Sequence, residues 1–136
     1  MSMAETDDRP VVLVVDDEPE VLKLMYRQLV QLSALRIIPT TSPAEAMHVL
    51  ETHKVAVLLC DLNMPHTDGS VILAKARETN PDIVSIALSG GSNYEVTIKA
   101  VNEGGIWKYV PKPWKQDELL QMVTAGVERH TKLQQP

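Results

Sequence analysis

The chain has no phenylalanine, and two tryptophans and three tyrosines make up its whole aromatic complement. A single cysteine, Cys60, excludes an intrachain disulfide and a cysteine-cluster zinc site. No apolar run approaches the ~20 residues a membrane helix needs. The longest strongly apolar run is Val55 to Cys60. A basic excess is also missing: thirteen Lys and Arg against eighteen Asp and Glu leave a net charge of −5. That balance argues against binding nucleic acid or an anionic membrane through bulk charge. The start of the chain, with Glu5, Asp7 and Asp8 ahead of Pro10, is acidic and reads as neither a signal peptide nor a basic transit peptide. A cytoplasmic location is expected by default. The 136 residues point to one domain, long enough to bury a real core.

Five apolar runs alternate with five helix-like segments. The runs are Val11 to Val15, Leu35 to Thr40, Val55 to Cys60, Ile83 to Leu88 and Ile106 to Val110. The first and third are apolar at nearly every position, the pattern of strands covered on both faces. Leu22, Met25, Leu29 and Leu32 place one apolar stripe on the first helix. Ser42-Pro43-Ala44-Glu45 reads as a helix start with a capping box, and Ser92 and Glu95 repeat the pattern before the fourth helix. The third helix is expected from near Asp68-Gly69 to just before Asn80-Pro81. Leu119, Leu120, Val123 and Val127 form the inner face of the last helix, which runs to about Lys132.

This alternation predicts an α/β fold: a (βα)5 flavodoxin-like, doubly wound parallel sheet with strand order 2-1-3-4-5. Pro39 and Pro111 fall in the second and fifth strands, which this order makes edges, where a residue without an N–H is tolerated. Residues 1–9 read as a lead-in, 10–131 as the domain and 132–136 as a tail or the start of a linker.

In a parallel sheet all strand C-termini share one rim, and ligands bind there near the point where strand order reverses. The first strand ends in Asp16-Asp17, the third in Asp61, the fourth in Ser89 and the fifth in Lys112-Pro113. Two carboxylates ~5 Å apart repel by about 3 kcal/mol at an effective dielectric of ~20. Such a group calls for a cation, and oxygen donors suit a hard one such as Mg²⁺ (or Mn²⁺). A carboxylate beside Mg²⁺ and an ammonium group can hold the metal, or it can attack a phosphoryl group.

At these residues the sequence resembles the receiver domain of two-component response regulators. The matching motifs are Asp16-Asp17-Glu18-Pro19, Asp61-Leu62-Asn63-Met64-Pro65 with Asp68-Gly69, Leu88-Ser89-Gly90, and Tyr109-Val110-Pro111-Lys112-Pro113, spread over roughly Val11 to His130. The resemblance implies Asp61 as the phosphoacceptor. It implies Asp16, Asp17, Asp61 and the Asn63 backbone carbonyl as Mg²⁺ ligands. Lys112 is implied as the phosphoryl-binding cation, Ser89 as the switch hydroxyl and Tyr109 as the aromatic rotor. It also implies a cis Lys112–Pro113 bond. The implied partners are a sensor histidine kinase or histidine phosphotransfer protein and a downstream output domain or protein, with no direct nucleic acid or membrane contact. A phosphorylation-dependent dimer is within the family's range. The switching surface would be the fourth helix, fifth strand and fifth helix.

Ser89 stands where Thr is frequent in the family, and Trp107 and Lys108 replace small or acidic residues before the rotor. Asn63 and Gly91 occupy the positions that tune water access. The stretch from Trp107 to Trp114 is similar to receivers joined to larger enzymatic outputs. The two tryptophans are read equally as core filling or as partner surface. His48, His53, His66 and His130 show no metal spacing and are expected mostly at the surface, and Cys60 is expected in the core. The chain is expected to have no enzymatic role beyond its own phosphorylation and dephosphorylation. An aspartyl-nucleophile phosphatase and a degenerate receiver that only binds partners are the competing readings.

Overall fold

A computed structural model describes residues 7–64, 67–90 and 105–135. Among the described residues seven strands and four helices follow in chain order: β1 (Val11–Val15), α1 (Pro19–Leu29), β2 (Arg36–Thr40), α2 (Pro43–Thr52), β3 (Val55–Asp61), β4 (Asn63–Met64), β5 (Thr67–Asp68), α3 (Gly69–Thr79), β6 (Val84–Gly90), β7 (Lys108–Lys112) and α4 (Gln116–Leu133). Five strands pair in the order β2-β1-β3-β6-β7, all parallel. Counting those five alone, this is the expected 2-1-3-4-5. Strands β4 and β5 form a separate two-residue antiparallel ribbon that the apolar pattern does not announce. The expected fourth helix, its Ser92–Glu95 start and Gly91 lie outside the described residues, as do Pro65 and His66.

Strand alternation splits the core into two layers. Val11, Leu13, Val15, Leu58 and Cys60 pack with Ala46, Val49 and Leu50 of α2 and with Ile72, Leu73 and Ala76 of α3. Val12, Val14, Leu59, Ile86 and Leu88 pack with Leu22, Met25 and Leu29 of α1 and with Leu119 and Val123 of α4. A period of two puts successive residues on opposite faces, so strands covered on both sides must be apolar throughout. Pro39 and Pro111 both sit on edge strands.

Several local expectations change. Helix α1 stops at Leu29, so Leu32 lies beyond it and packs on the same core from a turn in which its carbonyl accepts from the Leu35 N–H at 2.9 Å. The Ser42 hydroxyl caps α2 by accepting from the Glu45 N–H at 3.1 Å. The return arm of the capping box is absent, because the Ser42 N–H donates to Thr40 Oγ1 at 3.0 Å. The fifth sheet strand begins at Lys108, two residues late. Ile106 and Trp107 already pack on opposite core layers before that ladder starts.

The inner line of α4 is Leu119, Val123, Gly126 and His130, with Leu120 and Val127 only partly buried. A Cβ at Gly126 would come 3.3 Å from Val57 Cγ2, so the helix lies close on β3 there. Four residues on, the same face carries His130 inward. His130 is thus buried, against expectation, while His48 is exposed. The tryptophans both pack against the α1/α4 layer. Trp114 Nε1 donates to Gln28 Oε1 at 2.7 Å, and the Trp107 ring lies 5.5 Å from Lys108 Nζ and 5.8 Å from Arg129 Cζ. Among the described residues no helix is long and apolar enough to cross a membrane.

Burial lowers the His130 pKa below its ordinary 6.5, the charge of Lys54 lowers it further, and Asp82 opposes both. The unfolded chain therefore takes up the proton first, and stability falls as pH drops below 6.5 toward the folded value. Urea midpoints at about pH 7.5 and about pH 5.5 measure this. The drop between them is expected to be smaller in His130→Gln than in the parent. Equal drops would remove His130 as the cause.

Candidate functional site

The sheet register assembles the rim. Asp61 is the last residue of β3 and pairs with Leu88, one residue before Ser89. Ser89 in turn pairs with Pro111, and Gly90 with Lys112. Asp16 follows β1 directly, and its N–H donates to the Thr40 carbonyl at 3.3 Å, which extends the sheet pairing one residue past the strand. Glu18 stands at the N-cap of α1 without capping it through its side chain.

Asp16, Asp61 and Ser89 are buried, Asp17 is half-buried and Glu18 is exposed. Carboxylate oxygens of Asp16, Asp17, Glu18 and Asp61 all lie within 4.8 Å of one another. Two backbone amides orient the buried pair. The Glu18 N–H donates to Asp16 Oδ1 at 2.9 Å, and the Asn63 N–H donates to Asp61 Oδ1 at 2.9 Å. The other oxygen of each faces Lys112. Lys112 Nζ is 2.7 Å from Asp16 Oδ2, 3.3 Å from Asp61 Oδ2 and 3.8 Å from Glu18 Oε1. The Lys112–Pro113 bond is cis.

Gly69 opens α3 directly beneath this group. A Cβ there would sit 2.8 Å from the Asp61 carbonyl oxygen and 3.2 Å from Leu62 Cα. Only glycine lets the helix approach the backbone that carries Asp61 so closely.

The charge balance is strained. Burial raises the Asp16 pKa above its ordinary 3.8, and the charge of Asp61 adds to the rise, while Lys112 and the Glu18 amide pull it down. Asp17 is raised by the same two causes, desolvation first and Asp61 second. Burial alone would lower the Lys112 pKa, but Asp16 and Asp61 outweigh it and raise it above 10.5. Lys112 is therefore a permanent cation facing four carboxylates.

A hard cation fits this donor set. Every side chain of the cluster offers carboxylate oxygen. Asp16 Oδ2 is wholly buried and has no aligned hydrogen bond, although Lys112 Nζ lies close to it. The cluster around it carries more negative charge than one ammonium neutralises. Asp16, Asp17 and Asp61 are the residues expected to hold Mg²⁺.

The structure brings together four of the residues singled out from the sequence: Asp16, Asp17, Asp61 and Lys112. Ser89 stands on the same rim, and Asn63 supplies its N–H to Asp61. Tyr109 lies on the edge strand with half its surface exposed. Glu18 belongs to the Asp16-Asp17-Glu18-Pro19 motif, yet the resemblance assigns it no role. Its place directly after the acidic pair, ahead of a helix-starting proline, was the available signal.

A family profile described as "Response regulator receiver domain" matches residues 12–124. The chain is 39% identical over 123 residues to the hydrogenase transcriptional regulatory protein HoxA of Cupriavidus necator, covering 90% of this chain and 25% of that protein. It is 28% identical over 128 residues to the DNA-binding transcriptional regulator NtrC of Escherichia coli, covering 94% of this chain and 27% of that protein. The chain thus spans about a quarter of the length of the curated relatives it matches. The crystal structure of the signal receiver domain of an HD domain-containing protein from Pseudomonas fluorescens superposes with a TM-score of 0.85 at 26% identity, covering 100% of both chains.

Protons and divalent cations compete for these carboxylates. Asp16 and Asp17 keep their protons to higher pH than an ordinary aspartate at 3.8. Mg²⁺ affinity is therefore expected to rise as pH climbs above 3.8 and to level off once both are ionised. Calorimetric Mg²⁺ titrations at about pH 4 and about pH 7.5 test this, the binding being weaker at the lower pH. Equal affinity at both would contradict the assignment of the carboxylates as ligands.

Proposed function

The chain belongs to the response regulator receiver domain family, and from that premise we propose that Asp61 accepts a phosphoryl group from a phosphohistidine on a sensor histidine kinase or histidine phosphotransfer protein. The observation that carries this reading is the setting of Asp61: nearly buried at the sheet rim, within the carboxylate cluster and 3.3 Å from the Lys112 ammonium.

In the proposed step an Asp61 carboxylate oxygen attacks phosphorus. The P–N bond to the imidazole breaks, its electron pair stays on the ring nitrogen, and an aspartyl phosphate forms. Transfer of this kind needs in-line positioning and neutralisation of the equatorial oxygens. Asp16, Asp17, Asp61 and the Asn63 carbonyl would hold Mg²⁺, which would supply positive charge to one phosphoryl oxygen. Lys112 neutralises a second, and the Ser89 hydroxyl donates to the third. The Asn63 amide keeps the acceptor carboxylate from rotating away. No turnover of an external substrate is required, so the role is signalling rather than enzymatic.

The output follows from Ser89. Its hydroxyl moves toward the new phosphoryl group, leaving room on the β6–β7 side of the sheet, and Tyr109 turns from its half-exposed position into that room. The surface around β7 and α4 then changes shape, which an output domain or protein can read.

Asp61→Asn is expected to abolish Mg²⁺-dependent labelling by acetyl phosphate, measured as an 80 Da mass increase (about, for one phosphoryl group) on the intact protein. An unchanged modified fraction in this variant would overturn the assignment. Ser89→Ala is expected to keep labelling while the Tyr109 environment, followed by NMR, no longer changes on phosphorylation. A full Tyr109 response in that variant would remove Ser89 from the switch.

A further inference from the structure

Glu18 is the one member of the rim cluster that the phosphotransfer chemistry leaves without a task. Its side chain is 63% exposed, whereas those of Asp16 and Asp61 are 0% and 2% exposed. It therefore lies at the mouth of the site. Its Oε1 is 3.8 Å from Lys112 Nζ, and its carboxylate falls within 4.8 Å of the other three. Its side chain makes no hydrogen bond to cap α1, the local job an N-cap residue ordinarily has. The backbone N–H serves Asp16, which any non-proline residue could do. What the glutamate adds is a negative charge at the entrance.

We infer that Glu18 is a specificity-determining residue that selects phosphodonors by the charge of their leaving group. This rests on the proposed phosphoryl transfer to Asp61. In-line attack requires the leaving group to stand opposite Asp61, and Asp61 lies at the buried floor, so departure is outward, past the mouth. With acetyl phosphate the P–O bond breaks and acetate leaves with the electron pair, so negative charge grows on the departing oxygen. With phosphoramidate the P–N bond breaks, and a nitrogen that carries the donor's positive charge leaves as neutral ammonia. Relative to the free donors, Glu18 destabilises the transition state whose leaving oxygen is becoming anionic and stabilises the one whose leaving nitrogen still carries part of its positive charge. A phosphohistidine resembles the second donor, because its leaving atom is likewise a nitrogen, there part of a ring that can carry a proton. Glu18 thus biases the site toward a nitrogen-linked phosphoryl group and away from small anionic acyl phosphates.

Two unit charges ~7 Å apart in a water-like dielectric alter a rate by about 3-fold. The readout is the ratio of labelling rate constants for acetyl phosphate and phosphoramidate, each measured with saturating Mg²⁺. In Glu18→Gln this ratio is expected to rise about 3-fold over the parent. Glu18→Lys should raise it further, and Glu18→Asp, which keeps the charge, should restore the parental ratio. The differences should shrink in high salt, as exposed charges are screened. A ratio unchanged across the Gln and Lys variants, with labelling intact, would overturn the selectivity role and leave the phosphoacceptor assignment standing. Failure of the parent protein to be labelled by either donor would instead overturn the phosphoacceptor reading, and the selectivity role with it.

Discussion

The rim is organised by how one ammonium group is shared among carboxylates. Lys112 lies on an edge strand, and Asp16 and Asp61 on or beside inner ones, so the register of the whole sheet determines whether they meet. Slipping β7 by one residue would turn Lys112 to the other face of the sheet. The contacts of 2.7 Å to Asp16 and 3.3 Å to Asp61 therefore report correct pairing across β1, β3, β6 and β7. They also leave a deficit of positive charge. A surface ion pair contributes little to stability, but charges buried at this depth must find partners. That excess of carboxylates over ammonium groups makes the rim a candidate site for a further cation.

The same packing gives the site a buried floor and an exposed edge. Asp61 is fixed by β3 at the centre of the sheet, by the Asn63 amide and by the close approach of α3 at Gly69. Ser89 and Lys112 belong to the last pair of strands, and β7 is an edge whose Tyr109 is half exposed. A change at Ser89 has only one strand to cross before it reaches the surface. Trp107 and Trp114 flank β7 and pack on the α1/α4 layer, with Trp114 tied to Gln28 of α1. Packing accounts for both rings, and the cations beside Trp107 place it at the border between core and surface.

Much of this was legible in the sequence because the signals were long and redundant. Strands apolar at every position, prolines confined to two of them, and acidic residues immediately after two strands all pointed to one topology and one rim. Errors arose where a single neighbour decided the outcome. His130 reads as a polar residue near a helix end, yet the close contact of Gly126 with Val57 rotates that face of α4 inward. The Ser42 capping box looked complete, but Thr40 took the serine N–H. The β4–β5 ribbon is two residues on each side, too short for periodicity to register. Glu18 was visible as a residue but not as a site member, since its approach to Lys112 depends on the turn between β1 and α1.

The central claim is that side chains remote in sequence surround one divalent cation with Asp61 among its ligands. Anomalous diffraction from crystals grown with Mn²⁺ tests this most directly. A single strong peak within coordinating distance of Asp16, Asp17 and Asp61 is the expected result. A peak that excludes Asp61, or no peak at the rim at a saturating concentration, would contradict it.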